Sequence, residues 1–229
     1  MSKELADYAE LIGRMPVREH AFWARRSNWE SLILGGGTAS NALRKLFDSE
    51  GERDWLQISR GDLRDYAEGE DLGVFLMATH IWGYPRTMRG GYTKSICAQL
   101  DWLIEFMAPL RDGDIEDWKE HYSSAKSVHG LGLSTYSKFL AFFPVRICGY
   151  ESLILDDVVA TVAGGDGFTE LHPLHGLTYE SAPAKYVDYL ACMTEVARRL
   201  TDVCGRAVQP EQVEMFLFTF GRNLKSGCS

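Results

Sequence analysis

Helical periodicity limits this chain more than any other feature. From Asp62 onward, apolar residues recur at the i, i+3, i+4 spacing of an α-helix through 62–82, 93–109, 114–128, 134–143, 157–164, 183–203 and 210–221. Strand-like alternation is scarce, so the spacing predicts an all-α fold. With 229 residues, 45% of them hydrophobic and 12% aromatic, the chain is long enough to bury roughly 70% of the surface its unfolded form exposes. Such a core needs neither disulfides nor structural metals. The five cysteines, Cys97, Cys148, Cys192, Cys204 and Cys228, are odd in number and widely spaced. They read as buried thiols of a reduced compartment, not as a disulfide or Cys-x-x-Cys framework. The first residues lack a basic patch followed by an apolar core, and nothing reaches the roughly 18 apolar residues that span a bilayer. A cytoplasmic protein is expected.

Residues 1–15 alternate in helical fashion through Leu5, Tyr8, Leu11 and Ile12, and residues 20–34 carry Phe22, Trp23, Trp29, Leu32 and Leu34 in a helix-like pattern that Gly35, Gly36 and Gly37 stop. A further helix is predicted from Thr38 to Phe47, followed by an acidic, loop-like stretch from Asp48 to Arg60. No internal repeat or Pro/Ser-rich linker appears. Residues 1–60 are therefore read as a helical extension packed on a core domain of residues 61–229. Two long interruptions, 84–91 and 164–182, break the helical pattern, and long loops in a compact helical domain are more often functional than accidental.

The stretch from Asp114 to Phe143 reads as helix, tight turn, helix, with Gly130-Leu131-Gly132 at the turn and Ser134-Thr135 opening the second helix. Glycine at both positions lets the backbone approach something closely, and turn amides beside a helix N-terminus suit an anion, for which phosphate is the natural guest. Ile154-Leu155-Asp156-Asp157 then precede Val158, Val159 and Val162. An Asp at a helix start accepts backbone N–H groups and sits at the positive end of the dipole. By residue type alone, such an Asp is more often only a cap.

At these residues the chain resembles the helix-hairpin-helix DNA glycosylase superfamily, most of all its 8-oxoguanine branch. Gly130-Leu131-Gly132-Leu133-Ser134-Thr135 looks like the family's hairpin, and Asp156, 26 residues after Gly130, looks like its catalytic Asp, with Asp157 the next choice. The resemblance implies an enzyme that flips a modified base out of double-stranded DNA and cleaves its N-glycosidic bond, with Gly130, Gly132 and Ser134 against the DNA backbone. Bifunctional members carry a nucleophilic Lys two residues after the second Gly, where this chain has Ser134. That departure resembles the branch that activates water. Lys138, however, lies four residues further on, on the same helix face and ~6 Å along the axis, and some relatives carry their Lys later in this helix. A Lys138 nucleophile with nicking at the abasic site and a water-activating mechanism both stay open. Glu214 and Phe218, four apart in the terminal run, resemble the acid and aromatic that close the base pocket in 8-oxoguanine relatives. The iron–sulfur cluster of some members needs four closely spaced Cys, which this sequence lacks, so no cofactor is expected.

Arg86, Arg89 and Lys94 form the densest basic patch in a loop, with Trp82 and Tyr84 beside it to stack on a base. Trp82 and Phe142 are expected in the base pocket. The net charge of −8 repels polyanions at long range, so a DNA-binding face must be locally basic or use backbone amides. His172 and His175 have the spacing of a ligand pair but no third ligand near, and no metal is expected. A monomer is expected. Two further roles remain open: excision of hypermodified bases from invading phage DNA, and a catalytically inert module that grips DNA through the hairpin.

Overall fold

In a computed structural model of the chain, which describes residues 3–48 and 54–225, helix accounts for 62% of the structure. Residues 49–53 of the expected acidic loop, and Cys228, lie outside the described residues. A 3₁₀ turn at Leu5–Tyr8 leads into α1 (Ala9–Ile12). The helix-like reading of 20–34 is then corrected. Strand β1 (Ala21–Arg25) pairs antiparallel with β2 (Trp55–Ser59), Ala21 opposite Ser59 and Arg25 opposite Trp55. Over so short a span the apolar pattern fits a period of two as well as 3.6. Ala24 and Ile58 turn inward and are buried, while Trp23, Arg25, Trp55 and Gln57 face solvent. Helix α2 (Glu30–Ile33) and α3 (Gly37–Asp48) join the two strands, and α3 matches the predicted helix to within a residue at each end.

The run 62–82 is two helices, α4 (Arg60–Glu68) and α5 (Leu72–Gly83), parted by an extended Gly69. Ser59 caps α4 through a reciprocal box, its Oγ accepting from the Asp62 amide at 3.1 Å and its own amide donating to Asp62 at 2.8 Å. Asp71 caps α5 by accepting from the Val74 amide. Ten of the twelve residues of α5 are buried, which makes it the central helix of the domain. Next come α6 (Tyr92–Ala98) and α7 (Leu100–Met107), then β3 (Asp114–Ile115), α8 (Trp118–Ala125) and α9 (Leu133–Phe142). Strands β4 (Arg146–Ile147) and β5 (Tyr150–Glu151) complete a small sheet ordered β3-β4-β5. Helix α10 (Asp157–Ala163), the long α11 (Tyr186–Cys204) and α12 (Pro210–Phe216) follow. Pro210 at the first turn suits the start of α12, and a left-handed Gly205 ends α11. The loop 164–182 holds a 3₁₀ turn at Thr169–Leu174.

One hydrophobic core runs from Leu5 to Leu217 and includes Trp29, Leu43 and Ile58 of the N-terminal segment, each such side chain contributing roughly 1.5–3 kcal/mol by burial. After α12 the chain widens into a π-turn at Leu217–Gly221 before α13 (Arg222–Lys225). Gly221 lies so close to α10 that a Cβ there would meet Val162 at 2.5 Å. The cysteines depart from the expectation of burial: Cys148 is exposed, and Cys97, Cys192 and Cys204 are half-buried. No helix among the described residues is long and apolar enough to cross a membrane.

Candidate active site

The predicted hairpin forms, α8 turning through Gly130 and Gly132 into α9, but its first helix is shorter than the 114–128 expected, because Asp114 and Ile115 pair with β4 as a strand. Gly130 has φ +88°, and a Cβ there would sit 2.7 Å from the Tyr92 Cβ, so its close approach is to a side chain of this protein. Gly132 is the N-cap of α9 and brings no side-chain cap. A Cβ on Gly132 would meet the Tyr179 hydroxyl at 3.1 Å. That hydroxyl faces the Ser134 amide, as the Tyr122 hydroxyl faces the Leu133 amide. Two tyrosines thus stand at the first-turn amides that the sequence offers to an anion.

Asp156 is the N-cap of α10, its Oδ1 accepting from the Val159 amide at 3.0 Å. The approach to it is fixed from three sides. Tyr186 donates to the Leu153 carbonyl, Tyr189 to the Ile154 carbonyl at 2.9 Å, and the Leu155 amide donates to Ser137 Oγ at 3.1 Å. Ser137 belongs to α9, so the hairpin and the Asp156 loop are locked together. Asp157 is exposed in the first turn of α10 and pairs with Arg222 at 3.1 Å.

Lys138 is only 7% exposed. Its Nζ donates to the Ser134 carbonyl at 2.8 Å and to Ser134 Oγ at 2.9 Å, and lies 5.4 Å from the centre of the Tyr84 ring. Tyr84 in turn bonds Thr135 Oγ1 at 2.8 Å. Behind them, His80 is fully buried with Nε2 on Thr93 Oγ1 and Nδ1 unpartnered. Burial, with Lys138 as a second cause, pushes its pKa down to about 3.

These elements enclose a cavity of about 260 Å³ lined by Lys138 and Ser134, Asp156 and Asp157, Trp82 and Tyr84, Phe22, Arg60, Glu214 and Phe218. That volume lies just under the roughly 300–1,000 Å³ of ordinary small-molecule sites. Of the residues expected in a base pocket, Trp82, Glu214 and Phe218 are brought together here. Phe142 is not: one turn beyond Lys138 on α9, it packs edge-on against Trp82 with ring centres 5.3 Å apart and lines a separate cavity on the far side.

Tyr84, expected beside Trp82 to stack on a base, lines the cavity with it. Sequence reasoning missed Phe22 and above all Arg60, which falls at the end of the expected loop but stands at the first position of α4 and is 2% exposed. Arg60 grips Glu214 with both terminal nitrogens, Nη1 at 2.7 Å and Nη2 at 3.2 Å, and Nη1 also reaches Glu211 at 3.2 Å. Burial pushes the Glu214 carboxyl above its ordinary value even with Arg60 on it. Burial also works against the Arg60 charge, but Glu214 and Glu211 more than offset it and hold that pKa above the usual one. His20 packs edge-on against Phe22 and Trp82, and burial followed by Arg60 pushes its pKa down to about 4. A capping Ser before a helical run was the signal available for Arg60.

Arg86 and Arg89 lie exposed in the loop between α5 and α6, Gly90 and Gly91 there taking left-handed φ. Among the described residues, no carboxylate pairs with Arg86, Arg89 or Lys94. His175 pairs with Asp166 at 2.8 Å, and no group of three or more His, Cys, Asp or Glu among the described residues is placed to hold a metal ion.

A family model described as "Putative 8-oxoguanine DNA glycosylase OGG-like protein" matches residues 15–218. It therefore takes in most of the segment expected to be an extension. Neither a curated protein nor a solved structure matches the chain.

Proposed function

The chain belongs to the OGG-like family of DNA glycosylases, and on that premise we propose that it extrudes a modified base, an oxidised purine such as 8-oxoguanine first among them, from double-stranded DNA and cleaves its N-glycosidic bond in the 260 Å³ cavity. The observation that carries this reading is convergence. Lys138 of the hairpin helix and Asp156 of the α10 cap line one small cavity with Trp82, Glu214 and Phe218.

Cleavage of the bond leaves the electron pair with the departing base and positive charge on the sugar. The fixed Asp156 carboxylate stabilises that charge. In the bifunctional route the Lys138 amine, in its neutral form, forms a bond to C1′ and gives up a proton. Ring opening then yields a Schiff base, from which strand nicking by β-elimination follows. Ser134 is compatible with this route, because its hydroxyl and carbonyl hold the Lys138 amine beside the position where bifunctional relatives carry their Lys.

The test is incubation with duplexes that each carry one altered base, 8-oxoguanine and hypermodified pyrimidines included, followed by scoring of abasic sites with and without alkali. Excision of 8-oxoguanine supports the reading. Excision confined to hypermodified pyrimidines assigns another substrate, and no abasic site on any duplex leaves a DNA-binding module.

A further inference from the structure

Arg60 holds a recognition edge that the protein itself does not fill. A guanidinium carries five N–H donors in one plane, and three are used, two from Nη1 and one from Nη2, on Glu214 and Glu211. The two left over, Nε–H and the outer Nη2–H, are neighbours on one side of the fork. Nε is buried without a partner, an arrangement that costs free energy unless something binds there. Arg60 also lines the cavity, and its orientation is fixed three ways. Glu214 grips its end, the Trp82 ring lies 5.3 Å and the Phe142 ring 6.0 Å from its Cζ, and the Ser59 capping box fixes the helix start that bears it.

We propose that this edge reads the extruded base by donating to an exocyclic carbonyl oxygen, so that the site accepts keto bases and rejects bases without a carbonyl. The inference rests on the glycosylase reading above and names the class of base its cavity takes. A planar pair of donors suits a carbonyl oxygen, alone or beside a second acceptor. An amino group in the same place would oppose donor to donor and leave Nε unpaired, and sites built to hydrogen-bond one group reject its analogue strongly. The same contact favours the chemical step, because negative charge accumulates on the oxygen of the departing base as the bond breaks, next to a fixed cation.

Hypoxanthine and purine, which differ only in the 6-carbonyl and its N1–H, separate this idea from its alternatives. Binding of each free base is read by tryptophan fluorescence, since Trp82 lines the cavity. Hypoxanthine is expected to bind roughly 10–100-fold more tightly than purine, and Arg60→Lys, which keeps a cation beside Glu214 but removes the fork, is expected to erase the difference. Equal binding of the two bases, no binding of either at millimolar concentration, or a preference that survives in Arg60→Lys would overturn the proposal. If Arg60→Lys does not fold, the double variant Arg60→Gln with Glu214→Gln takes its place, and the comparison in the unaltered protein still decides. The reading of function fails separately, through a protein that prefers hypoxanthine yet excises nothing from any duplex.

Discussion

The amine of Lys138 and the hydroxyl of Ser134, one helical turn apart on α9, are hydrogen-bonded at 2.9 Å. The residue that replaces the expected Lys is therefore the one that anchors the Lys present. If Lys138 is the nucleophile, borohydride traps a protein–DNA adduct on a cleavable duplex, and Lys138→Ala removes both the adduct and nicking. Ser134→Ala retains trapping but slows it roughly three- to tenfold, the scale of one net hydrogen bond that positions the amine. Base excision without any adduct would assign the attack to water.

Asp156→Asn is expected to lower excision by about 10²-fold or more, the usual loss when a fixed electrostatic stabiliser is removed. Thermal stability should fall little, because Asn is as good an N-cap as Asp and can still accept from Val159. Asp157→Asn should change rate only slightly, since that carboxylate is exposed and paired with Arg222. Single-turnover rates of the two variants compare the neighbours directly, and the reverse order would exchange their roles.

Much of this site was legible because its parts are local in sequence. The Gly130–Gly132 turn, the Asp156 cap, Lys138 one turn after Ser134 and Glu214 four before Phe218 are all short-range patterns, and each recurs in the structure. What was hidden depends on distant partners. Strand β1 is defined by β2, thirty or more residues away, and an isolated five-residue apolar run does not choose between helix and strand. Arg60 becomes meaningful only through Glu214, 154 residues further on. Phe142 was misplaced for a similar reason, since sequence put it on a helix face near Lys138 while the packing of Trp82 decided which side of the wall it took.

The hairpin glycines should respond differently. At Gly130, φ is +88° and a Cβ would press on Tyr92, so Gly130→Ala is expected to cost about 1–3 kcal/mol of stability, seen as a lower Tm. At Gly132 the backbone is open to any L residue, and the larger Gly132→Val meets Tyr179 and crowds the first-turn amides. It should weaken binding to all duplexes about equally, because amides read phosphate and not base. A loss of affinity confined to damaged DNA would contradict this role.

His80 gives the protein an acid-side weakness. Its pKa is about 3 in the folded protein against an ordinary 6.5, so the unfolded chain binds the proton more readily. The stability from the neutral ring is therefore whole above pH 6.5 and is lost as pH falls from there toward 3, at a slope of up to ~1.4 kcal/mol per pH unit. Denaturant unfolding between pH 7 and 4 should show this decline, and His80→Gln should flatten it. Parallel curves for the two proteins would show that other groups govern the acid limb.

The charge of −8 leaves DNA few places to lie, and Arg86 and Arg89 are exposed cations with no carboxylate partner among the described residues. They project from the loop that follows Trp82 and Tyr84, two residues of the cavity wall. A duplex whose extruded base occupies that cavity must bring phosphates near this loop. Each phosphate contact releases counterions worth about 0.9 units of log–log salt slope. Arg86→Ala and Arg89→Ala should therefore each flatten the salt dependence of duplex binding by about one unit, and the double variant by about two. Binding isotherms over a range of salt measure this directly. Unchanged slopes in both single variants would place the duplex on another face and leave the loop as a surface connection between α5 and α6.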